Sequence, residues 1–216
     1  MIKAKRKPLE EIGNAIAPYD QILILGCGGC VSVCLAGGQR ETYDLMDDLT
    51  QHLNGSKHLA VYTVERQCNV KYMNGLDEKT DNIDCILSMA CGAGVQFLAD
   101  RYPTLPVLPA VNTMAIGVDL SIGLYQERCR ACGFCVLGYT AGVCPVTRCA
   151  KGLFNGPCGG TNKGMCEISQ EIPCAWQEIY ERLKAQNRLD AILDLQPPMM
   201  WENQTLRTVV QDKYAG

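Results

Sequence analysis

The chain has 216 residues, of which 47% are hydrophobic and 20% charged, the composition of a folded protein with one large or two small domains. A net charge of −3 and 6% aromatic residues argue against nucleic-acid binding, because no basic excess neutralises phosphates and few rings stack on bases. The abnormal feature is 14 cysteines against 2 histidines. Because the basic N-terminal segment lacks the apolar stretch of a secretory signal, we expect a cytoplasmic protein whose cysteines bind metal rather than form disulfides.

Short apolar runs alternate with helical segments in the first part of the chain. Strands are predicted at 19–25, 59–64, 83–88 and 105–111, and helices at 40–53 and 94–101. This alternation predicts an α/β domain with a parallel sheet over residues 1–124. The uncharged stretch 22–38 contains five glycines and is marginal in length for a membrane span. We interpret it as a buried strand, a tight loop and a helix start, and expect no membrane insertion.

The composition changes after residue 124. Eight cysteines and eight glycines lie between 129 and 174, and regular hydrophobic periodicity is nearly absent. Such a segment cannot build a conventional apolar core, so we predict a small, loop-dominated iron–sulfur domain at 125–176. A C-terminal helix over 176–195 and a tail complete the region 177–216. For the tail from Met199, docking on a partner and a mobile terminus are equally compatible with the sequence.

The most specific motif is a compact cysteine triplet, Cys129-x2-Cys132-x2-Cys135. Bacterial ferredoxins use this spacing to hold three corners of a [4Fe–4S] cluster. Cys144-Pro145 follows after a spacer much longer than the ferredoxin one. Four more cysteines complete the set: Cys149, Cys158, Cys166 and Cys174. Eight thiolates are what two [4Fe–4S] clusters require, and they would also suit two zinc sites. We predict two clusters, with zinc as the alternative.

The same segment resembles a known family. The shared strings are Cys129-x2-Cys-x2-Cys, Gly142-Val-Cys-Pro-Val, Cys149-Ala-Lys-Gly-Leu, Asn155-Gly-Pro-Cys-Gly-Gly160, Gly164-Met-Cys-Glu167 and Cys174-Ala-Trp. They resemble the methylenetetrahydrofolate reductase C-terminal domain family, and in particular the small iron–sulfur subunits of the two-subunit reductases of acetogens. The resemblance implies a companion of a flavin-bearing TIM-barrel subunit that binds the folate. The chain itself shows no repeat of eight strand–helix units.

A second triplet, Cys27-x2-Cys30-x3-Cys34, directly follows the first predicted strand. The string Ile22 to Gly29 is echoed by Ile86 to Ala93, which places Cys91 after another strand in the same way as Cys27. Ligands collect at the carboxyl ends of parallel strands, so we predict a third [4Fe–4S] cluster from Cys27, Cys30, Cys34 and Cys91, with Cys68 as the spare candidate. Buried, inert cysteines are the alternative. Cys85, inside a strand, is interpreted as core.

These observations predict an electron relay. The chain would pass single electrons from a donor protein or subunit to the partner's flavin, and the resemblance implies that the partner reduces methylenetetrahydrofolate. One alternative is a structural zinc scaffold of the same reductase. Another is a thiol–disulfide enzyme that uses a pair such as Cys129 and Cys132.

Overall fold

The computed structural model describes residues 1–201 and 204–214. The chain divides into two units, which we call unit 1 (Met1–Gln126) and unit 2 (Glu127–Gly216). In the described ranges, none of the helices combines the length and the apolar character needed to cross a membrane.

The elements of unit 1 alternate between strands and helices. The strands are β1 (Ile2–Arg6), β2 (Gln21–Cys27), β3 (His58–Val64), β4 (Cys85–Ser88), β5 (Val107–Pro109), β6 (Val111–Ser121) and β7 (Leu124–Cys129), the last of which continues into unit 2. The helices are α1 (Leu9–Ile16), α2 (Cys30–Val33), α3 (Gln39–His52) and α4 (Gly92–Arg101). Strands β2, β3, β4 and β5 form the predicted parallel sheet, in the order β3-β2-β4-β5.

Strand β2 lies in the middle of this sheet and is buried on both faces. Ile22 and Ile24 pack in the cluster that includes Leu45 and Leu49 of α3. Leu23 and Leu25 pack in the opposite cluster, which includes Leu98 of α4. Successive strand residues point to opposite faces, so helices cover the sheet on both sides and β2 reads as a continuous apolar run. Burying each such side chain contributes about 1.5–3 kcal/mol to the stability of the folded state.

A second, antiparallel sheet in the order β1-β6-β7 was not predicted. The sequence of β1 is Ile-Lys-Ala-Lys-Arg, whose three basic residues leave no apolar run that would predict a buried strand. Lys3 is 4% exposed, forms an ion pair with Asp119, and lies 4.5 Å from the ring centroid of Tyr125. The strand predicted at 105–111 was also wrong in extent, because β5 ends at Pro109 and β6 begins two residues later in the other sheet.

Unit 2 has little regular structure. It contains helices α5 (Pro145–Arg148) and α6 (Ala175–Ala185) and the two-stranded hairpin of β8 (Met165–Cys166) and β9 (Ser169–Pro173). Its apolar cluster is small and is centred on Trp176, Ile179 and Leu183 of α6, with Val143 from the loop before α5.

The C-terminal helix is shorter than predicted. The predicted helix over 176–195 is wrong beyond Ala185, since Asn187 takes a left-handed conformation (φ 54°) and a 3-10 turn follows at Leu189–Leu193. Such a conformation cannot continue an α-helix. The predicted docking tail includes residues 202–203 and 215–216, which lie outside the described residues.

Candidate metal centre

Four cysteines of unit 2 meet at one small cavity. Its volume is about 20 Å³, and the cysteines that line it are Cys149, Cys158, Cys166 and Cys174. These residues are separated by up to 25 positions in the chain and come from different elements. The structure therefore brings the second half of the predicted eight-cysteine set to the lining of one cavity.

Short elements position these thiols. Cys149 is the residue that follows α5, and Cys174 is the residue that precedes α6. Cys166 lies in the hairpin, and the backbone N–H of Cys174 donates to the carbonyl oxygen of Gly164 at 2.8 Å, which ties the hairpin to the start of α6. An ion pair between Arg148 and Glu178 joins the two helices. The four cysteines are thus held by backbone geometry rather than by a large apolar core.

The charges around Cys158 favour its thiolate form. The backbone N–H of Gly160 donates to its sulfur at 3.4 Å and, with Lys151, lowers the pKa of the Cys158 thiol. Lys151 also forms an ion pair with Glu167, whose carboxylate lies where a side chain at position 160 would stand. A larger residue at position 160 would require the Glu167 side chain to move. Because metals bind cysteine as the thiolate, this environment suits a metal ligand.

The first four cysteines of the set are held by local contacts. The sulfur of Cys129 accepts the N–H of Ala131 at 3.3 Å, and the Cys132 thiol donates to the carbonyl oxygen of Phe134 at 3.5 Å. Left-handed conformations at Ala131 (φ 51°) and Gly133 (φ 92°) turn the chain between the three cysteines of the triplet, which ends at Cys135.

Cys144 belongs to the same part of unit 2 as the triplet. It directly precedes α5, and the Thr147 hydroxyl of that helix donates to the carbonyl oxygen of Arg128 at 3.4 Å. This bond brings the helix beside the residue that precedes Cys129. Cys144 and Cys149 lie at opposite ends of α5, so the short helix separates the two groups of four.

The cysteines of unit 1 fall into two classes. Cys68 and Cys91 influence the Cys27 thiol: burial raises the pKa of that thiol, backbone N–H groups of Gln67 and Gly29 lower it, and the Cys68 and Cys91 thiols raise it. Cys34, which the sequence placed in the same triplet as Cys27, is not brought to this group. Its buried thiol instead bonds to the backbone of Ala4 in β1.

The two remaining cysteines of unit 1 are Cys30 and Cys85. Cys30 is the first residue of α2 and is partly exposed. Cys85 is fully buried in β4, as predicted, and desolvation raises the pKa of its thiol to about 12. That group is a packing residue, because a thiol with such a pKa stays protonated at neutral pH.

The donor chemistry of unit 2 fits a thiolate-bound metal or cluster. None of the cysteines in the described ranges forms a disulfide. Over the same ranges, no three or more His, Cys, Asp or Glu side chains are arranged to hold a single metal ion. The four thiols line a shared cavity without converging on one point.

Sequence reasoning missed two supporting side chains. Gln67 is completely buried in the loop after β3, and it bonds to β2 and to Ser88 of β4. No sequence signal marks it, because a single glutamine in a polar loop reads as a solvent-exposed residue. Glu167 follows Cys166 in one of the shared strings, but its position over Gly160 depends on the folded loop.

Comparison with known proteins agrees with the cysteine pattern. Neither a curated protein nor a solved structure matches the chain significantly. A family model described as methylene-tetrahydrofolate reductase C terminal matches residues 108–202, a range that includes both groups of four cysteines in the region 129–174. Residues 108–202 are therefore similar to the methylenetetrahydrofolate reductase C-terminal domain, the family that the cysteine motifs indicate.

Proposed function

We propose that this chain is the electron-transfer subunit of a methylenetetrahydrofolate reductase. It would pass single electrons from a low-potential donor protein to a flavin on a TIM-barrel partner, which reduces 5,10-methylene- to 5-methyltetrahydrofolate. The observation that carries this proposal is the group of four cysteines around one cavity, inside the segment that matches the reductase family. A bound [4Fe–4S] cluster supplies reversible one-electron chemistry at a potential set by its surroundings.

The residues of unit 2 would supply two ligand sets. Cys149, Cys158, Cys166 and Cys174 would hold one cluster through their thiolates. The other set would be Cys129, Cys132, Cys135 and Cys144, which α5 brings into one part of the unit. This division follows the two ends of α5, and it assigns Cys144 to the triplet that precedes it in the chain.

Charges and hydrogen bonds near the set that includes Cys158 would tune the electron affinity of a cluster bound there. Lys151 adds a positive charge beside Cys158, and the N–H of Gly160 donates to the same sulfur. Both interactions stabilise negative charge at that sulfur, so they favour the reduced state of a group bound there. Glu167, paired with Lys151, partly offsets this effect.

The chemistry of the folate itself belongs to the partner in this proposal. Reduction of the methylene group takes two electrons and two protons, and a relay of single electrons needs a flavin to combine them. No flavin or folate motif was found in this sequence. The chain would therefore act by delivering electrons and by docking to the flavin subunit.

A structural zinc scaffold of the same reductase is the second candidate. Four thiolates around one small cavity are also the ligand set of a structural zinc site. In that case the electrons would reach the flavin by a route outside this chain.

Metal and sulfide analysis of the anaerobically purified full chain tests the proposal. We expect Cys158→Ser to remove about four irons and four sulfides per chain, the content of one cube. Cys85→Ala is the matched control and should keep the wild-type content, because Cys85 lies in the core of β4. Stoichiometric zinc without sulfide in the wild type would support the scaffold instead. A chain with neither metal would point to the thiol–disulfide enzyme.

An activity test addresses the partner. The isolated chain should not reduce methylenetetrahydrofolate with a reduced low-potential dye or ferredoxin as donor. Addition of the flavin subunit should restore turnover, and Cys158→Ser should lower that turnover while Cys85→Ala does not. Reduction by the lone chain would refute the companion role.

A further inference from the structure

Three loops of unit 1 start at the same edge of the parallel sheet. Strand β2 lies between β3 and β4, with Cys27 opposite Val64 and Leu25 opposite Ser88. All three strands are parallel, so their carboxyl ends reach the same edge at nearly the same level. In open α/β sheets, ligands bind at this edge.

Hydrogen bonds of a buried glutamine connect the three loops. The side-chain amide of Gln67 donates to the carbonyl oxygens of Leu25 and Gly26 at 2.7 and 3.1 Å, and its oxygen accepts the Ser88 hydroxyl at 2.6 Å. Because Gln67 precedes Cys68 directly, these bonds hold Cys68 beside the end of β2. Ser88 lies three residues before Cys91, so the same network holds the loop after β4.

The sulfur of Cys27 is the centre of this arrangement. Cys27 is the last residue of β2, beside the loops that the Gln67 hydrogen bonds hold. Burial raises the pKa of its thiol, the backbone N–H groups of Gln67 and Gly29 lower it, and the Cys68 and Cys91 thiols raise it. The sulfur lies 3.7 Å from the position that a side-chain carbon on Gly29 would take. Backbone N–H donors at close range to sulfur are a recurring environment of thiolates that ligate metals.

Exposure separates Cys68 and Cys91 from the packing cysteines of the same unit, whereas Cys27 is buried. Cys68 is exposed and Cys91 partly exposed, so neither fills space in the core. Cys34 and Cys85 are buried, and Cys34 has backbone partners in β1 and α2. Cys68 and Cys91 therefore differ from the packing cysteines Cys34 and Cys85.

We propose that Cys27, Cys30, Cys68 and Cys91 form a tetrathiolate site for a third [4Fe–4S] cluster at the carboxyl edge of the parallel sheet. Cys30 is the fourth ligand because it is partly exposed at the first residue of α2, three residues after Cys27. This set replaces Cys34 of the sequence triplet by Cys68, which comes from a different loop. The site goes beyond the proposed relay through unit 2 and does not depend on it, since every ligand lies in unit 1.

The test compares single variants of the full, anaerobically purified chain. Cys68→Ser should remove about four irons and four sulfides per chain, because a cube is lost with its ligand. An exposed side chain can be replaced without disturbing the core, so this variant should fold. The matched controls are Cys34→Ala and Cys85→Ala, which should keep the wild-type iron content. Cys91→Ser is the second variant and should give the same loss as Cys68→Ser.

Each outcome decides the proposal. Full iron content in both Cys68→Ser and Cys91→Ser overturns it, and so does a loss of zinc rather than iron. Loss of the same iron in a folded Cys34→Ala chain, checked by circular dichroism, overturns the ligand set. The double variant Cys68→Ser with Cys158→Ser separates this inference from the proposed function: additive losses support both sites, whereas a loss from Cys158→Ser alone overturns the third cluster only.

Discussion

The two units of this chain are stabilised in different ways. Unit 1 buries apolar side chains on both faces of a parallel sheet, including Ile22 and Ile24 on one face and Leu23 and Leu25 on the other. Unit 2 has a small apolar cluster around α6, short helices and a two-stranded hairpin. The first unit resembles an ordinary α/β domain, while the second has too little regular structure to bury much apolar surface.

This difference shows where cysteines contribute to folding. In unit 1, Cys85 and Cys34 serve as small apolar residues inside a core that other side chains build. In unit 2, four cysteines line one cavity beside a small apolar cluster. If they hold metal, the binding free energy becomes folding free energy of that unit.

Metal removal should affect the two units unequally. Treating the anaerobic chain with an iron chelator should make residues 127–201 sensitive to protease, whereas residues 1–126 stay resistant. The reason is that unit 1 keeps its apolar core when thiolates are released. Mass spectrometry of the digest identifies the cleavage sites, with the untreated chain as the control. Equal resistance of both units after complete removal would contradict the contrast.

Truncation of one core leucine in each unit tests how much each unit depends on its apolar core. Leu45 and Leu183 are both fully buried, and replacing either by alanine should cost about 2–5 kcal/mol of unfolding free energy. In the metal-free chain, Leu183→Ala should unfold unit 2, while Leu45→Ala weakens unit 1 but leaves it folded.

Tryptophan fluorescence distinguishes the two transitions. Both tryptophans, Trp176 and Trp201, lie in unit 2, so fluorescence follows that unit and circular dichroism follows both. A metal-free Leu183→Ala chain that keeps its native fluorescence would show that unit 2 has a sufficient apolar core.

Replacing the buried Gln67 of unit 1 should lower the free energy of unfolding less than truncating a core leucine. Gln67→Leu leaves the Gly26 carbonyl oxygen and the Ser88 hydroxyl without this partner, and a buried orphaned group costs about 1–3 kcal/mol. Gln51→Leu, on the exposed face of α3, is the control and should change stability little. Denaturant unfolding measures both. Equal stability of the two variants would show that the three loops are held by other contacts.

The smallest expected effect is on acid stability. The N–H groups of Gln21 and Asp20 donate to the Asp84 carboxylate at 2.8 and 2.9 Å and lower its pKa. A lowered folded-state pKa contributes stability above the unfolded-state value of about 3.9, and this contribution disappears as the pH falls through the folded-state pKa. Asp84→Asn should therefore flatten the decline in unit 1 stability below about pH 4.

Unit 2 also contains a carboxylate with a lowered pKa. Arg148 and then Arg182 lower the pKa of Glu178, so the same sign applies there. Glu178→Gln should flatten the acid transition seen by tryptophan fluorescence, and Asp84→Asn should leave that transition unchanged. If each variant changed the other unit's transition equally, the two units would not unfold separately.

The sequence predicted the parallel sheet better than the antiparallel one. Strands β2, β3 and β4 are short apolar runs next to glycine or polar turns, and their pattern is visible without tertiary contacts. Strand β1 is rich in lysine and arginine, and it forms because β6 offers a pairing edge and because Asp119 pairs with Lys3. Helix α1 was missed although Pro8 precedes it and Glu10 and Glu11 lie in its first turn, both typical signals of a helix start.

Cysteine spacing by itself determined which residues were candidates for metal ligands. Local strings such as Asn155-Gly-Pro-Cys-Gly-Gly160 determined which family the C-terminal region resembles. Only the tertiary structure decided how those candidates are grouped. Cys34 follows Cys30 by one helical turn in sequence, but α2 ends at Val33 and the Cys34 thiol packs against β1. Cys68 is 41 residues from Cys27 in sequence, and strand pairing with the Gln67 hydrogen bonds brings it close. Contacts between distant loops depend on sheet order and register, which no local pattern specifies.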